Sequence, residues 1–476
     1  MSLFLNIDIN TTIEPFFAEL LARKPLPAKE DLFAFVDCYK NTQITDVSIC
    51  CFCQYSRTPS AVFTDALAKY HQKTENGVPV DYTSHYEGDH VLREICGIDP
   101  YEVWFARLRE HGIRPWLSVR MNDCHCPDEE TCFLRSNFFY EAREKGRMVG
   151  EQYGYYRYCL NYAVPEVRLK MLAYIREQLE KYDVYGIELD FLREIICFDY
   201  MNHPSCHAIM TEFLREVRKT ADEISARKGH PVAIGLRFMR DIGENKVYGF
   251  DVDAIVREKL CDLICVSPRW KSCDSHMPID AWVKRYPGMP IYAGLETLVL
   301  RPAAECHADN ETVYGYAADY LTQGAAGIYL YNYFDEPYSD ARQELYKTAG
   351  KLETIPARRR HTVTYQDLCP EGCSPFRPFP TDADGFEITI RLGIAAKKAV
   401  LFLGIAEGDI AKLTVKLNGK TLTHPVPMKR DYAPIDAMVY GYEIPETALH
   451  EKTELHVKTS APVLVTLAYM EAETVQ

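Results

Sequence analysis

Residues 182–194 read YDVYGIELDFLRE, and the fold is decided there. From Gly186 to Phe191 apolar and acidic side chains alternate, which is the period of a strand. Just before it lies an amphipathic helix. It opens at Pro165, a favoured first-turn residue, and sets Val167, Met171, Leu172, Ile175 and Leu179 on one face. The same alternation of helix and strand continues in both directions. Upstream the strand signals are Leu3–Asp8, Asp46–Phe52 and Arg114–Arg120. Downstream they are Val232–Arg237, Leu263–Ser267, Pro290–Leu295 and Gly327–Tyr331. Gly112 and Gly324 follow helical segments as stops. Eight strands, each followed by a helix, predict a closed (β/α)8 TIM barrel. The chain has neither a GxGxxG nor a GxxxxGK[ST] turn, which argues against an open dinucleotide- or phosphate-binding sheet.

The βα pattern ends near residue 355, so a barrel domain over 1–355 is expected. Residues 356–384 carry Arg358–Arg360 and the prolines 370, 375, 378 and 380, and read as a linker. From 385 to 476 the period becomes two. Strand signals at Phe386–Leu392, Ala399–Leu403, Lys412–Leu417, Glu454–Lys458 and Val463–Ala468, with an Asn418-Gly419 hairpin turn, predict a small all-β sandwich.

The chain has 476 residues, of which 47% are hydrophobic and 26% charged, and a net charge of −14. Nucleic acid and membrane are therefore not expected as partners, since phosphate binding needs clustered Lys and Arg, and no apolar run is long enough to span a bilayer. The start, MSLFLNID, lacks a basic and then apolar leader, and the 17 cysteines include several in apolar strands. Free thiols in a cytoplasmic protein are the expectation. A homo-oligomer is compatible with this composition.

Chemistry in such a barrel sits where the strands end. The third strand runs into Arg120, Asn122, Asp123 and His125, and the fourth carries Glu188 and Asp190 and runs into Arg193. Both carboxylates are on the inward face, where a buried charge needs a partner; Arg120 or Arg193 could supply it. The fifth strand ends at Arg237, the sixth runs to Trp270, the seventh to Glu296, and the eighth to Tyr331, Asn332 and Asp335. The loops after the second and third strands each run to roughly 40 residues, a length that usually marks a functional wall or lid. Cys124, His125, Cys126 and Cys132 do not have the spacing of a standard structural zinc site and read as a polar loop with free thiols. No cofactor and no metal are expected.

The runs SVRMNDCH, LNYAVPEVR and YDVYGIELDFLR, between residues 116 and 194, resemble the bacterial barrel proteins grouped as glycosyl-hydrolase-10-like. The resemblance implies a barrel acting on a carbohydrate substrate. GIELDFL is also similar to the fourth-strand motif of the chitinases, but Leu192 stands where their catalytic Glu would be. Retaining barrel glycosidases place a nucleophilic Asp where Asp190 stands, and cellulase-type barrels pair acids on strands four and seven, the positions of Asp190 and Glu296. The expected function is glycoside hydrolysis by a carboxyl pair. Asp190 is nucleophile or base, Glu296 the acid, and Asp335 the reserve acid. Glu188, Arg120, Asn122, Asp123, His125, Arg193, Arg237 and Asn332 would bind hydroxyls, and Trp116, Trp270 and Tyr331 would stack on sugar rings. The alternatives are a non-catalytic carbohydrate-binding barrel, or a metal-dependent lyase or isomerase with Asp123, His125, Glu188 and Asp190 as ligands.

Overall fold

The computed structural model describes residues 2–126, 128–203, 205–269, 274–296, 298–300, 305–333, 337–363, 379, 381, 385–428 and 437–473. Eight strands form the closed barrel: β1 (Leu3–Ile7), β2 (Ile44–Phe52), β3 (Arg114–Arg120), β4 (Gly186–Asp190), β5 (Ala233–Phe238), β6 (Leu263–Val266), β7 (Ile291–Glu296) and β8 (Gly327–Tyr331). Around the ring their order is β1-β8-β7-β6-β5-β4-β3-β2. Each begins and ends within a few residues of the position its sequence predicts. Helices α1 (Glu14–Arg23), α2 (Pro100–Glu110), α3 (Pro165–Lys181), α4 (Cys206–Lys228), α5 (Asn310–Thr322) and α6 (Asp340–Thr348) include the main crossovers. α2 and α3 open on proline, and Asp99 caps the first turn of α2 through the Tyr101 N–H. Among the described residues no helix is long and apolar enough to cross a membrane.

Register sorts the inward side chains into layers. Trp116, Gly186 and Ala233 share the lowest row, Ser118, Glu188 and Gly235 the next, and Arg120, Asp190 and Arg237 the row at the C-terminal edge. The layers explain the small residues. A Cβ on Gly186 would lie 2.4 Å from the Trp116 ring, so the indole fills the floor of the barrel because Gly186 leaves room for it.

The long connections carry more structure than loops. Between β2 and α2 lie the short helices Ala66–His71 and Thr83–Asp89, a wide helical turn His90–Ile95, and a two-residue hairpin Thr74–Glu75 with Val78–Pro79. Between β3 and α3 lie a helix Asn137–Glu144 and a 3-10 turn Glu151–Tyr156.

The C-terminal residues form two antiparallel sheets. The strands are β9 (Arg358–Thr362), β10 (Gly385–Arg391), β11 (Lys398–Glu407), β12 (Leu413–Leu417), β13 (Lys420–Thr421), β14 (Val426–Met428), β15 (Met438–Ile444), β16 (Lys452–Thr459) and β17 (Leu464–Glu473). One sheet is ordered β9-β17-β11-β15-β14 and the other β10-β16-β12-β13. Leu401 and Leu403 of the first share one core with Ile388, Ile390, Leu455 and Val457 of the second. Part of the expected linker is thus a strand: β9 pairs with β17 from Arg358↔Glu473 to Thr362↔Tyr469. The arginine run reads as solvated linker, yet Arg359 and Arg360 are buried because partners meet them. Arg359 Nη2 donates to the Ile394 carbonyl at 3.0 Å, and Arg360 pairs with Asp309, Glu311 and Glu471. Residues 364–378, with most of the expected linker prolines, lie outside the described residues.

The chain divides into two compact units, Met1–Leu3 with Val266–Tyr331 and Ser339–Gln476, and Phe4–Cys265 with Asn332–Tyr338. The first holds α5 together with both C-terminal sheets. There the backbones meet directly, since a Cβ on Gly315 of α5 would lie 2.1 Å from the Arg360 carbonyl oxygen of β9.

Candidate active site

Within the unit Phe4–Cys265 the C-terminal strand ends bring together a ring of opposite charges. Asp190 closes β4. Its Oδ1 accepts the N–H groups of Leu192 and Arg193, both at 2.9 Å, so the strand-to-loop turn is built on this carboxylate. Arg237, its neighbour in the row, places Nη1 3.1 Å from each carboxylate oxygen. Neither side chain is accessible to solvent, and a buried pair of this kind is held because each charge would be costly alone. Of the arginines that could serve Asp190, the geometry selects Arg237.

Arg120 turns the other way, bridging Asp8 just beyond β1 and Asp123, whose Oδ2 lies 3.4 Å from Nη1. Asp8 also accepts the Thr11 hydroxyl at 2.6 Å. Burial opposes its ionisation, but the Arg120 guanidinium and Thr11 outweigh this and hold its carboxyl down at about 2. Asp123 is likewise buried yet driven well below the carboxylate range by His125, Arg193 and Arg120. Both are therefore anions at neutral pH, and neither can serve as the protonated acid of a glycosidase.

His125 lies between Asp123 and Arg193. Its Nδ1 contacts the Asp123 carboxylate, and Arg193 Nη2 lies 3.0 Å from Nε2. A guanidinium only donates, so this contact makes Nε2 the acceptor and leaves the ring proton on Nδ1, facing Asp123. The imidazole is 28% exposed, whereas the side chains of Asp123, Arg120 and Arg193 are 6% exposed or less. It is the member of the network that opens to solvent. A cleft over Arg120 and Asp123 is walled by Phe52, Phe63, Phe138, Phe139 and Tyr158. The wall residues Phe138, Phe139 and Tyr158 come from the long connection after β3. That connection is tied down beside the site, where the Cys124 and Cys159 sulfurs lie 3.0 Å apart.

Other expected site residues have structural positions. Glu188 is one layer below Asp190, and its Oε2 accepts from Asn6 Nδ2 at 3.0 Å and Ser48 Oγ at 2.8 Å. Asn122 spans two connections. It donates to the Leu160 and Ile196 carbonyls and accepts the Leu160 N–H at 2.8 Å, so its amide is engaged by backbone rather than turned to a ligand. Trp116, expected to stack on sugar, packs two layers below the mouth. Its indole donates to Asp46 at 2.8 Å, and its ring lies 5.3 Å from Phe4 and 5.2 Å from Tyr185. Glu296 and Tyr331 face each other in register at the ends of β7 and β8, both buried, in the other compact unit. Asn332 follows in the left-handed region, φ 59°. Trp270 and Asp335 lie outside the described residues. Asp8 was not among the expected site residues, although LFLNID announces it as the first acid after an apolar strand.

No family model and no curated protein matches the chain. Solved structures similar to it include a glycoside hydrolase family 18 N-acetylglucosaminidase from Paenibacillus barengoltzii, 13% identical over 72% of this chain and 98% of that one, with a TM-score of 0.38. Alpha-L-fucosidase isoenzyme 1 from Paenibacillus thiaminolyticus is 11% identical over 96% of each chain, with a TM-score of 0.39. The PgaB (BpsB) glycoside hydrolase domain from Bordetella bronchiseptica is 10% identical over 73% of this chain and 98% of that one, with a TM-score of 0.42. Likenesses this distant say nothing of the chemistry at these residues.

Proposed function

We propose that the chain is a glycoside hydrolase of the glycosyl-hydrolase-10-like kind, working at the C-terminal mouth of its barrel. The observation that carries the reading is Asp190. A carboxylate that attacks C1 or activates water must be fixed in place and its charge balanced. Two backbone amides and Arg237 supply both at the end of β4. Asp8 and Asp123, held as anions, would accept hydrogen bonds from substrate hydroxyls, with Arg120 donating. Glu296, buried at the end of β7, is the acid of this reading, with Asp335 in reserve. A panel of aryl glycosides and oligosaccharides tests this, with product anomers followed by NMR. Turnover of one of them that falls at least about a thousandfold in Asp190→Asn is expected. On a dinitrophenyl glycoside, which needs little protonation, Glu296→Ala is expected to spare bond cleavage. Binding without turnover across the whole panel would identify a carbohydrate-binding barrel instead.

One observation favours a second reading, a lyase or isomerase acting on a sugar-like substrate. His125 is oriented by Asp123 as a general base is oriented by its carboxylate. Of the four ligands a metal-dependent version would use, Asp123 and His125 meet, whereas Glu188 is bonded to Asn6 and Ser48 and Asp190 to Arg237. Loss of turnover in His125→Gln on a substrate whose products show no glycosidic cleavage would favour this reading.

A further inference from the structure

The connection after β3 holds a second group of chemically capable side chains, outside the network just described. Cys126, Glu129 and Cys132 place their two sulfurs and a carboxylate oxygen within 4.8 Å of one another. The Cys126 and Cys132 sulfurs are 2.9 Å apart, well beyond the about 2.05 Å of a disulfide. We propose that Cys126, Glu129 and Cys132 form a binding site for a soft divalent cation of the zinc type, with solvent in the fourth position.

The backbone is arranged to present these three groups. Glu129 N–H donates to the Cys126 carbonyl at 3.2 Å, and Arg135 N–H to the Cys132 carbonyl at 3.0 Å, so each cysteine opens a tight turn. Cys126 adopts φ 54°, a left-handed conformation uncommon for a side chain of its kind. Arg135 draws the two turns together. Its guanidinium donates to the Cys126 carbonyl and, at 2.8 Å, to the Glu129 carbonyl. That places a buried positive charge beside a site that would carry two thiolates and a carboxylate around one divalent ion, and offsets the excess negative charge. Thiolate sulfurs select zinc-like ions over magnesium or calcium. In a tetrahedral site with Zn–S of about 2.3 Å the sulfurs stand about 3.7 Å apart, so the two turns part slightly on loading. Cys132 is buried and Glu129 exposed, which gives the ion an approach from solvent.

The site does not use the whole run of Cys124, His125, Cys126 and Cys132, whose spacing matches no standard zinc site. The His125 ring is engaged by Asp123 and Arg193, and Cys124 meets Cys159. Its consequence is local order. The turn runs directly from His125 at its start to the cleft-wall residues Ser136, Phe138 and Phe139, and the Arg135 guanidinium lies 4.3 Å from the Phe139 ring centroid. An ion held here would staple the segment between His125 and the aromatic wall.

The test uses the full-length reduced protein, stripped with chelator and titrated with cobalt(II) and then zinc(II). One equivalent of cobalt is expected to give a sulfur-to-cobalt charge-transfer band and intense tetrahedral visible bands, both removed by stoichiometric zinc. Cys126→Ser and Cys132→Ser should each at least halve the charge-transfer band and the double variant abolish it, while Cys124→Ser keeps it. Glu129→Gln, an exposed change that leaves the fold intact, should weaken zinc binding at least about tenfold, since losing a ligand costs no less than losing an outer-shell partner. Zinc should slow hydrogen exchange over 124–136. The exposed group His71, His90 and Glu94 could bind cobalt too, but without sulfur bands. A wild-type protein that shows no charge-transfer band, a band undiminished in both serine variants or surviving in the double variant, or reoxidation to a Cys126–Cys132 disulfide in place of metal uptake would each overturn the proposal.

Discussion

Asp190 and Arg237 are bound so closely that chemistry and stability are mixed in any single substitution. Asp190→Asn keeps an acceptor for the Leu192 and Arg193 amides but leaves the Arg237 charge buried beside it. Breaking such a pair costs about 3–5 kcal/mol, so urea denaturation of the single variant should show a loss of that order. Adding Arg237→Met removes the cation of the pair as well and should recover part of the stability, but none of the turnover. If the double variant hydrolysed substrate normally, Asp190 would only brace the turn. Asp8 gives a pH signature. Its carboxyl lies at about 2 in the folded protein against an ordinary 3.8, so its contribution is present above about pH 4 and is lost as pH falls through 2. The gap corresponds to about 2 kcal/mol. Stability measured between about pH 5 and 2 should therefore fall less steeply in Asp8→Asn than in the wild type, and identical slopes would remove Asp8 from the acid response.

At the level of elements, α5 is the instructive helix. It carries Gly315 against β9 and Asp319 one turn later. Burial pushes the Asp319 carboxyl up to about 7, although Gln323, whose amide donates to it at 3.0 Å, and Arg391 favour the anion. Here the folded chain binds a proton that the unfolded chain releases near 3.8, so stability declines as pH rises from about 4 to 7. Asp319→Asn should abolish that decline, worth about 4 kcal/mol, in melts compared at about pH 4 and 8. Gly315→Ala should cost about 2 kcal/mol at any pH, because helix and strand must part to admit the methyl group. The barrel strands were legible in the sequence because inward and outward residues alternate along each of them. The helices at 66–71 and 83–89 were not, being too short to show a period. β9 was hidden because three consecutive arginines read as solvated until Asp309, Glu311 and Glu471 are brought beside them. The geometry of the candidate site was legible only in part. Alternation identified Asp190 and Arg120, but counting Trp116, Ser118 and Arg120 as three successive layers would have taken Trp116 away from the mouth.

At the scale of the whole chain, the sandwich shares a compact unit with α5 and with barrel residues Val266–Tyr331. Ending the chain at residue 355 would strip Arg360 and β9 from that helix. A chain of residues 1–355 should melt lower than the full protein and bind more of a hydrophobic dye. Unchanged melting with lost polysaccharide binding would make the sandwich a sugar-binding module. The ring order has a different consequence, one for the ribosome. β1 is completed by residue 7, yet its neighbour β8 begins only at residue 327, where Ile328 N–H reaches the Ser2 carbonyl at 3.0 Å. At roughly 5–20 residues per second, the growing chain carries an open sheet edge for tens of seconds before its last partner is made. Over that interval the nascent barrel is a ready substrate for chaperones and for pairing with its neighbours on the same message.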